Sequence, residues 1–171
     1  MSAIAPAKIR ILGWGLAIGL LALPWLAMQF STQIVWTGSD FLLFGALLAS
    51  AGAVLELAAM RSAPLAWRAG MAIAAATGFV LVWANGAVGI IGAEDDPANR
   101  LLMAVPLVAV AGAALARLRA AGMAVAMVAT ALFQIAATFV AATPGSVPAF
   151  AFTALLVAGW LSAAIAFRRA V

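Results

Sequence analysis

"WANGAVGIIGAEDDPANR" (residues 83–100) parts the chain near its middle. An apolar run leads into it and another leaves it, while the stretch itself holds one Asn besides Asn99, three glycines, and Glu94, Asp95 and Asp96, three of only five acidic residues in the protein. It is either a loop of a soluble domain or a turn between two membrane crossings. Composition decides. Of 171 residues, 68% are hydrophobic and 8% charged, whereas about a quarter of an ordinary soluble domain is charged. Too few polar side chains remain to cover a water-facing surface, so the chain belongs to the membrane class.

A hydrocarbon core ~30 Å thick takes ~20 apolar residues in a helix. Six segments meet that length or approach it: 11–28, 41–60, 69–92, 101–116, 123–142 and 149–167. The predicted architecture is therefore all-α, a bundle of six transmembrane helices forming one domain over 1–171. Strands are a poor alternative because the runs are long, rich in Ala and Leu, and lack period-2 alternation. The fourth segment is the shortest, and its Pro106 is expected to kink it. Lys8 and Arg10 precede the first, as in a signal peptide. Its apolar run is long for an h-region, however, and "LPWLAMQF" (23–30) offers no small-x-small cleavage site, so the segment is expected to stay as a span.

Charge orients the bundle. Lys8 and Arg10 precede the first span, Arg61 and Arg68 lie between the second and third, Arg117 and Arg119 between the fourth and fifth, and Arg168 and Arg169 after the sixth. With six crossings all of these share one side. The other side holds Arg100 with Asp40, Glu94, Asp95 and Asp96. The positive-inside rule then puts both termini in the cytoplasm, and the opening stretch becomes the extracytoplasmic turn between spans three and four. "EDDPANR" (94–100) reads as punctuation, Asp96 capping span four with Pro97 at its first helical position. Ser39 or Asp40 is expected to cap span two, and Ser146 span six.

Missing residue types narrow the chemistry. There is no His and no Cys, which excludes the usual zinc sites, Fe–S clusters, His-ligated haem, thiol nucleophiles and a Ser-His-Asp triad. Lys8 is the only lysine and lies outside the spans, so no Schiff-base lysine is expected within them. Nothing calls for a cofactor. In a membrane chain a net charge of +4 reports orientation, not nucleic-acid binding. The partners expected are the lipid bilayer and a membrane-protein partner or a second copy of the chain.

Three polar residues inside spans are site candidates. Glu56 lies about 7 Å inside the cytoplasmic boundary at 1.5 Å per residue from Arg61. An intramembrane carboxylate is a proton carrier or cation ligand by default, unless it pairs with Arg117 or Arg119 at the interface. Asn85 and Gln134 lie deeper. They either bond across the bundle or line a polar path with Thr77, Thr130 and Thr138. Outside the spans, Glu94, Asp95, Asp96 and Asn99 could hold a hard cation such as Ca²⁺, which takes 6–8 oxygens, or remain solvated and attract cationic solutes. Trp14, Trp25, Trp36, Trp67 and Trp160 fall near span ends and are expected to anchor at the interface. Gly15 and Gly19 form a GxxxG pair suited to helix packing. "RAGMAIAAATG" (68–78) echoes "AAGMAVAMVAT" (120–130), and "FGALLASAG" (44–52) echoes "FTALLVAG" (152–159), spacings that would suit repeated hairpins in parallel.

The segments "MQFSTQIVWTGSDF" (28–41), "VWANGAVGIIGAEDDPANRLLM" (82–103) and "ARLRAAGMAVAMVATALFQ" (116–134) resemble a family of small bacterial multi-pass inner-membrane proteins. That resemblance implies location and topology, with no reaction, ligand or catalytic residue attached. The expectation is an inner-membrane protein with a non-enzymatic structural or accessory role. Its alternatives are a small-solute or ion transporter using Glu56, Asn85 and Gln134, and a lipid-modifying enzyme relying on Glu94, Asp95 and Asp96.

Overall fold

The computed structural model describes residues 7–93, 95–142 and 146–171, and among them every regular element is a helix. The chain divides into two compact units, 1–62 and 63–171. Among the described residues five helices are long and apolar enough to cross a membrane: those at Arg10–Phe30, Gly38–Met60, Leu65–Ala87, Ala120–Ala141 and Val147–Arg168. The remaining apolar run, Asn99–Leu115, is shorter.

The first unit is a helical hairpin, α1 (Ala7–Phe30) and α2 (Gly38–Met60). Its register can be followed pair by pair. Arg10 bonds Glu56, Trp14 lies over Gly52, and Leu21 meets the open face of Gly45. Each step along α1 is matched by an equal step backward along α2, so the helices run antiparallel, and the spacings of four and seven residues keep one face of each in contact. Gly52 is essential to this fit, since a Cβ there would come within 2.8 Å of the Trp14 ring. Pro24 sits inside α1 and removes one backbone donor from its ladder.

Thr37, not Ser39 or Asp40, is the N-cap of α2. Asp40 is the N3 member of a capping box. Its Oδ2 accepts the Thr37 backbone N–H at 2.7 Å, and Thr37 Oγ1 accepts the Asp40 N–H at 3.4 Å. Two orphan helix donors are satisfied reciprocally, and the carboxylate also favours the positive end of the dipole. Just before the cap, Trp36 packs on Phe41 and Phe44 with ring centroids 5.3 and 5.5 Å away.

A cysteine pair tests the hairpin register. Leu21→Cys with Gly45→Cys is expected to form an intramolecular crosslink under mild oxidation, seen as a gel-mobility shift in a chain that otherwise has no cysteine. Adding Gly52→Leu should suppress the shift by pushing α1 off α2.

The second unit comprises α3 (Leu65–Ala87), a short α4 (Asn99–Leu102), α5 (Val105–Leu115), α6 (Ala120–Ala141) and α7 (Val147–Arg168). α7 packs against both α3 and α6, and α5 packs against α6. Each contact is antiparallel. Gly70 faces Phe167 while Gly78 faces Trp160, Gln134 bonds Trp160 while Thr138 bonds Thr153, and Gly112 faces Ala126 while Gly122 faces Ala116. Small residues at these crossings let backbones approach closely, which supplies packing where lipid gives no hydrophobic drive between helices. By contrast, Cβ atoms at Gly15 and Gly19 would meet nothing within 4 Å. The core is formed by Leu81, Met123, Met127, Leu156, Trp160 and Phe167, all at most 3% exposed.

Two turns explain why the pass between α3 and α6 is irregular. α3 ends at Ala87, before the expected residue 92, because Gly89 and Gly92 take φ of 71° and 64°, left-handed values that glycine adopts readily. Asp96 does not cap a helix. Its Oδ1 accepts the Ala98 N–H at 2.9 Å in a local turn, and α4 begins at Asn99 with Ala98 as N-cap. The chain then breaks at Met103–Ala104, and Pro106 stands in the first turn of α5, where its missing N–H leaves no helical bond unmade. The expected kink is thus a break. Ser146 occupies the N-cap of α7, but its side chain does not cap it.

Despite that break, residues 99–118 return the full length of α3. Asn85, near the end of α3, donates to the Asn99 carbonyl at 3.0 Å. Trp67, near its start, donates from Nε1 to the Leu118 carbonyl at 3.2 Å. At 1.5 Å per residue, Trp67 and Asn85 lie about 27 Å apart along the axis. Within the second unit α3, residues 99–118, α6 and α7 accordingly run in alternating directions.

Candidate functional site

Three polar clusters stand within or beside the apolar helices. The first lies in the hairpin. Arg10 Nε is 2.9 Å from Glu56 Oε1 and 2.8 Å from Oε2, and Trp14 Nε1 donates to Oε1 at 3.2 Å. Glu56 therefore finds its cation on the preceding helix, in place of the expected Arg117 or Arg119. Trp14 anchors both sides at once, ring on Gly52 and N–H on Glu56. The Arg10 and Glu56 side chains are 45% and 18% exposed, so solvent screens the pair and its worth is modest. Arg10→Leu and Glu56→Leu are expected to lower the thermal midpoint in detergent by similar small amounts. The double variant should lose no more than either single one, because each substitution already removes the shared bond.

The second cluster gathers around Asn99, which is 4% exposed. Its Oδ1 accepts the backbone N–H groups of Ile90 and Ile91 at 3.1 and 3.0 Å, and its Nδ2 donates to the carbonyls of Ile91 and Ala93 at 3.0 and 2.7 Å. Asn85 joins through the Asn99 carbonyl. One amide thereby holds the whole turn that follows α3, and with it the fully buried Ile91. In the sequence Asn99 reads as a cation ligand; its side chain instead bonds protein backbone on both sides. The signal for this role was an Asn just after a glycine-interrupted loop, which has no capping pattern to single it out.

The third cluster is the interior of α6 and α7. Trp160 Nε1 donates to Gln134 Oε1 at 2.6 Å, Thr138 and Thr153 share a hydroxyl bond of 2.8 Å, and Thr138 also donates to the Gln134 carbonyl. Thr77 and Thr130 return their hydroxyls to carbonyls of their own helices, those of Ile73 and Ala126. Trp160 is 1% exposed and Trp67 is 3% exposed, so these two belong to the core and not to an interfacial belt. Beside the Thr138–Thr153 pair, a groove of about 430 Å³ opens between α6 and α7, walled by Phe139, Phe150, Val157 and Leu161.

Asn85 and Gln134 thus bond different partners within the second unit, and Glu56 belongs to the first. Asp95 is exposed and Asp96 serves its own turn; Glu94 lies outside the described residues. Among the described residues no three acidic side chains gather as a metal site would require. No family model matches the chain, and neither a protein of described function nor a solved structure is similar to it.

Proposed function

We propose that this is an inner-membrane protein of six crossings with both termini in the cytoplasm, acting as a non-enzymatic structural or accessory component. One observation carries the reading. The polar side chains among the apolar helices are turned on the chain itself, Glu56 to Arg10, Asn99 to the loop backbone and Gln134 to Trp160. The sixth crossing is supported by the return of residues 99–118 along α3. Inner-membrane location and topology also agree with the bacterial multi-pass family that three segments of the sequence resemble. Under this reading, purification in mild detergent yields a stable complex with another membrane protein.

Transport is the second reading, and a specific feature favours it. Asn85 Oδ1 and Gln134 Nε2 are buried without a hydrogen-bond partner among the described residues. Buried polar atoms are usually paired, and atoms left open inside a bundle suit passing solutes. A lone species that moves a labelled solute into vesicles, and loses that activity in Gln134→Leu, would replace the accessory role with this one.

A further inference from the structure

The second unit brings four of its six arginines next to Leu118 and Phe167, the two residues that Trp67 touches. Trp67 donates to the Leu118 carbonyl at 3.2 Å and packs edge-on against Phe167 at 6.2 Å between ring centroids. Phe167 reaches that position because Gly70 lacks a Cβ, which would stand 2.9 Å from its ring. Arg117 and Arg119 flank Leu118, and Arg168 and Arg169 follow Phe167. All four are exposed. The α5–α6 turn that presents the first two holds Arg117 and Leu118 at φ of 51° and 57°, left-handed values uncommon for residues with a Cβ. Leu118 N–H there reaches back to the Ala113 carbonyl at 3.2 Å, in the manner of a Schellman turn without its glycine.

Among the described residues of the second unit, no acid stands at this end. The acidic side chains of the second unit are the consecutive residues 94–96, and the described ones, Asp95 and Asp96, lie in the loop at the far end of α3. Among the described residues Arg117, Arg119, Arg168 and Arg169 make no ion pair. Four cations thus stand at one end of an apolar bundle, where a bilayer presents its headgroups, on two segments that the buried Trp67 and Phe167 hold together. Guanidinium forks match phosphate oxygens in pairs, and basic clusters at the ends of membrane helices recognise anionic lipid.

We propose that this end of the second unit binds the phosphate headgroup of an anionic phospholipid, held between the α5–α6 turn and the C-terminal end of α7. The proposal rests on the membrane-spanning reading above and adds to it a specific lipid.

The test uses full-length protein in detergent, with lipid retention read by native mass spectrometry against phosphatidylglycerol, cardiolipin and phosphatidylcholine. Wild type should retain the anionic lipids in preference to phosphatidylcholine. Arg117→Gln/Arg119→Gln and Arg168→Gln/Arg169→Gln should each lower that retention by about thirtyfold, from ~1 kcal/mol per arginine near an anionic surface, where 1.4 kcal/mol is a factor of ten. The charge-keeping Arg117→Lys/Arg119→Lys should retain most of it, and Arg100→Gln, at the other end, all of it. Equal retention of phosphatidylcholine, or a loss in Arg100→Gln as large as in the paired variants, overturns the proposal. Displacement by an equal concentration of inorganic phosphate also overturns it, because the ligand would then be a soluble anion. Carbonate extraction of membranes separates the two layers of the argument: if wild type washes out, the membrane reading falls and takes the lipid site with it, whereas a protein that stays in the membrane without lipid preference loses the site alone.

Discussion

Replacing Asn99 with alanine is expected to lower the thermal unfolding midpoint of the purified protein by about 10 °C. The truncation deprives two backbone N–H groups and two carbonyls of their partner, and each such group left unpaired in a buried place costs about 1–3 kcal/mol. Gly92 and Ala93 are exposed, so water recovers part of the loss, and about 3 kcal/mol remains. At roughly 2–4 °C per kcal/mol for a chain of this size, the midpoint falls accordingly. Asn99→Asp should be as damaging as alanine. It keeps an acceptor for Ile90 and Ile91, but it sets a carboxylate oxygen against the carbonyls of Ile91 and Ala93, where the amide donated. Midpoints within about 2 °C of wild type for both variants would show that the turn after α3 is held by something else.

The second large effect is expected at Gly159. A Cβ added there would collide with the Thr77 side chain across the α3–α7 contact, and Thr77 is only 8% exposed with its hydroxyl bound to Ile73. Overpacking of this kind costs about 1–3 kcal/mol, so Gly159→Ala should lower the midpoint by about 6 °C. The relieving change is Thr77→Ala, which removes both offending atoms and leaves the Thr77 Cβ at 3.3 Å as the nearest neighbour. Combined with Gly159→Ala it should recover more than half of the loss, although Thr77→Ala alone gains nothing. Additive behaviour in this double-mutant cycle would mean that the two positions do not meet as described.

Much of the architecture was legible because bilayer thickness imposes length on any helix that crosses it. Long apolar runs of Ala and Leu became the helices, and their boundaries moved by a few residues where caps intervened. Capping was harder to read. Several oxygen-bearing side chains stand within reach of each helix start, and only backbone geometry selects Thr37 over Ser39 and Asp40 for α2. Asp96 was misplaced for a related reason: Asp bonds the N–H two residues on whether or not a helix begins there. The break at Met103–Ala104 has no residue signal stronger than Pro106, which the helix tolerates at its first turn.

The candidate site residues were legible as types and not as partners. Glu56 stands out because carboxylates are rare in spans, yet its partner Arg10 is distant in sequence and is found only once the hairpin register is known. Trp160 lies near the end of its hydrophobic run, like an interfacial tryptophan, but the direction of its side chain toward Gln134 is set by the packing of α7 between α3 and α6. Asn99 is the clearest miss. Composition treats it as one more polar residue beside three acids, whereas its four backbone bonds depend on the two left-handed glycines of the loop.

The central claim is that the chain crosses the bilayer six times, with its arginine-bearing turns on the cytoplasmic side. The chain has no cysteine of its own, so single cysteines can be labelled from outside intact cells with an impermeant maleimide. Ser39→Cys and Asp95→Cys are predicted to react in intact cells, while Ser62→Cys and Val171→Cys react only after lysis; labelling of Val171→Cys from outside, or protection of Asp95→Cys, would contradict the account.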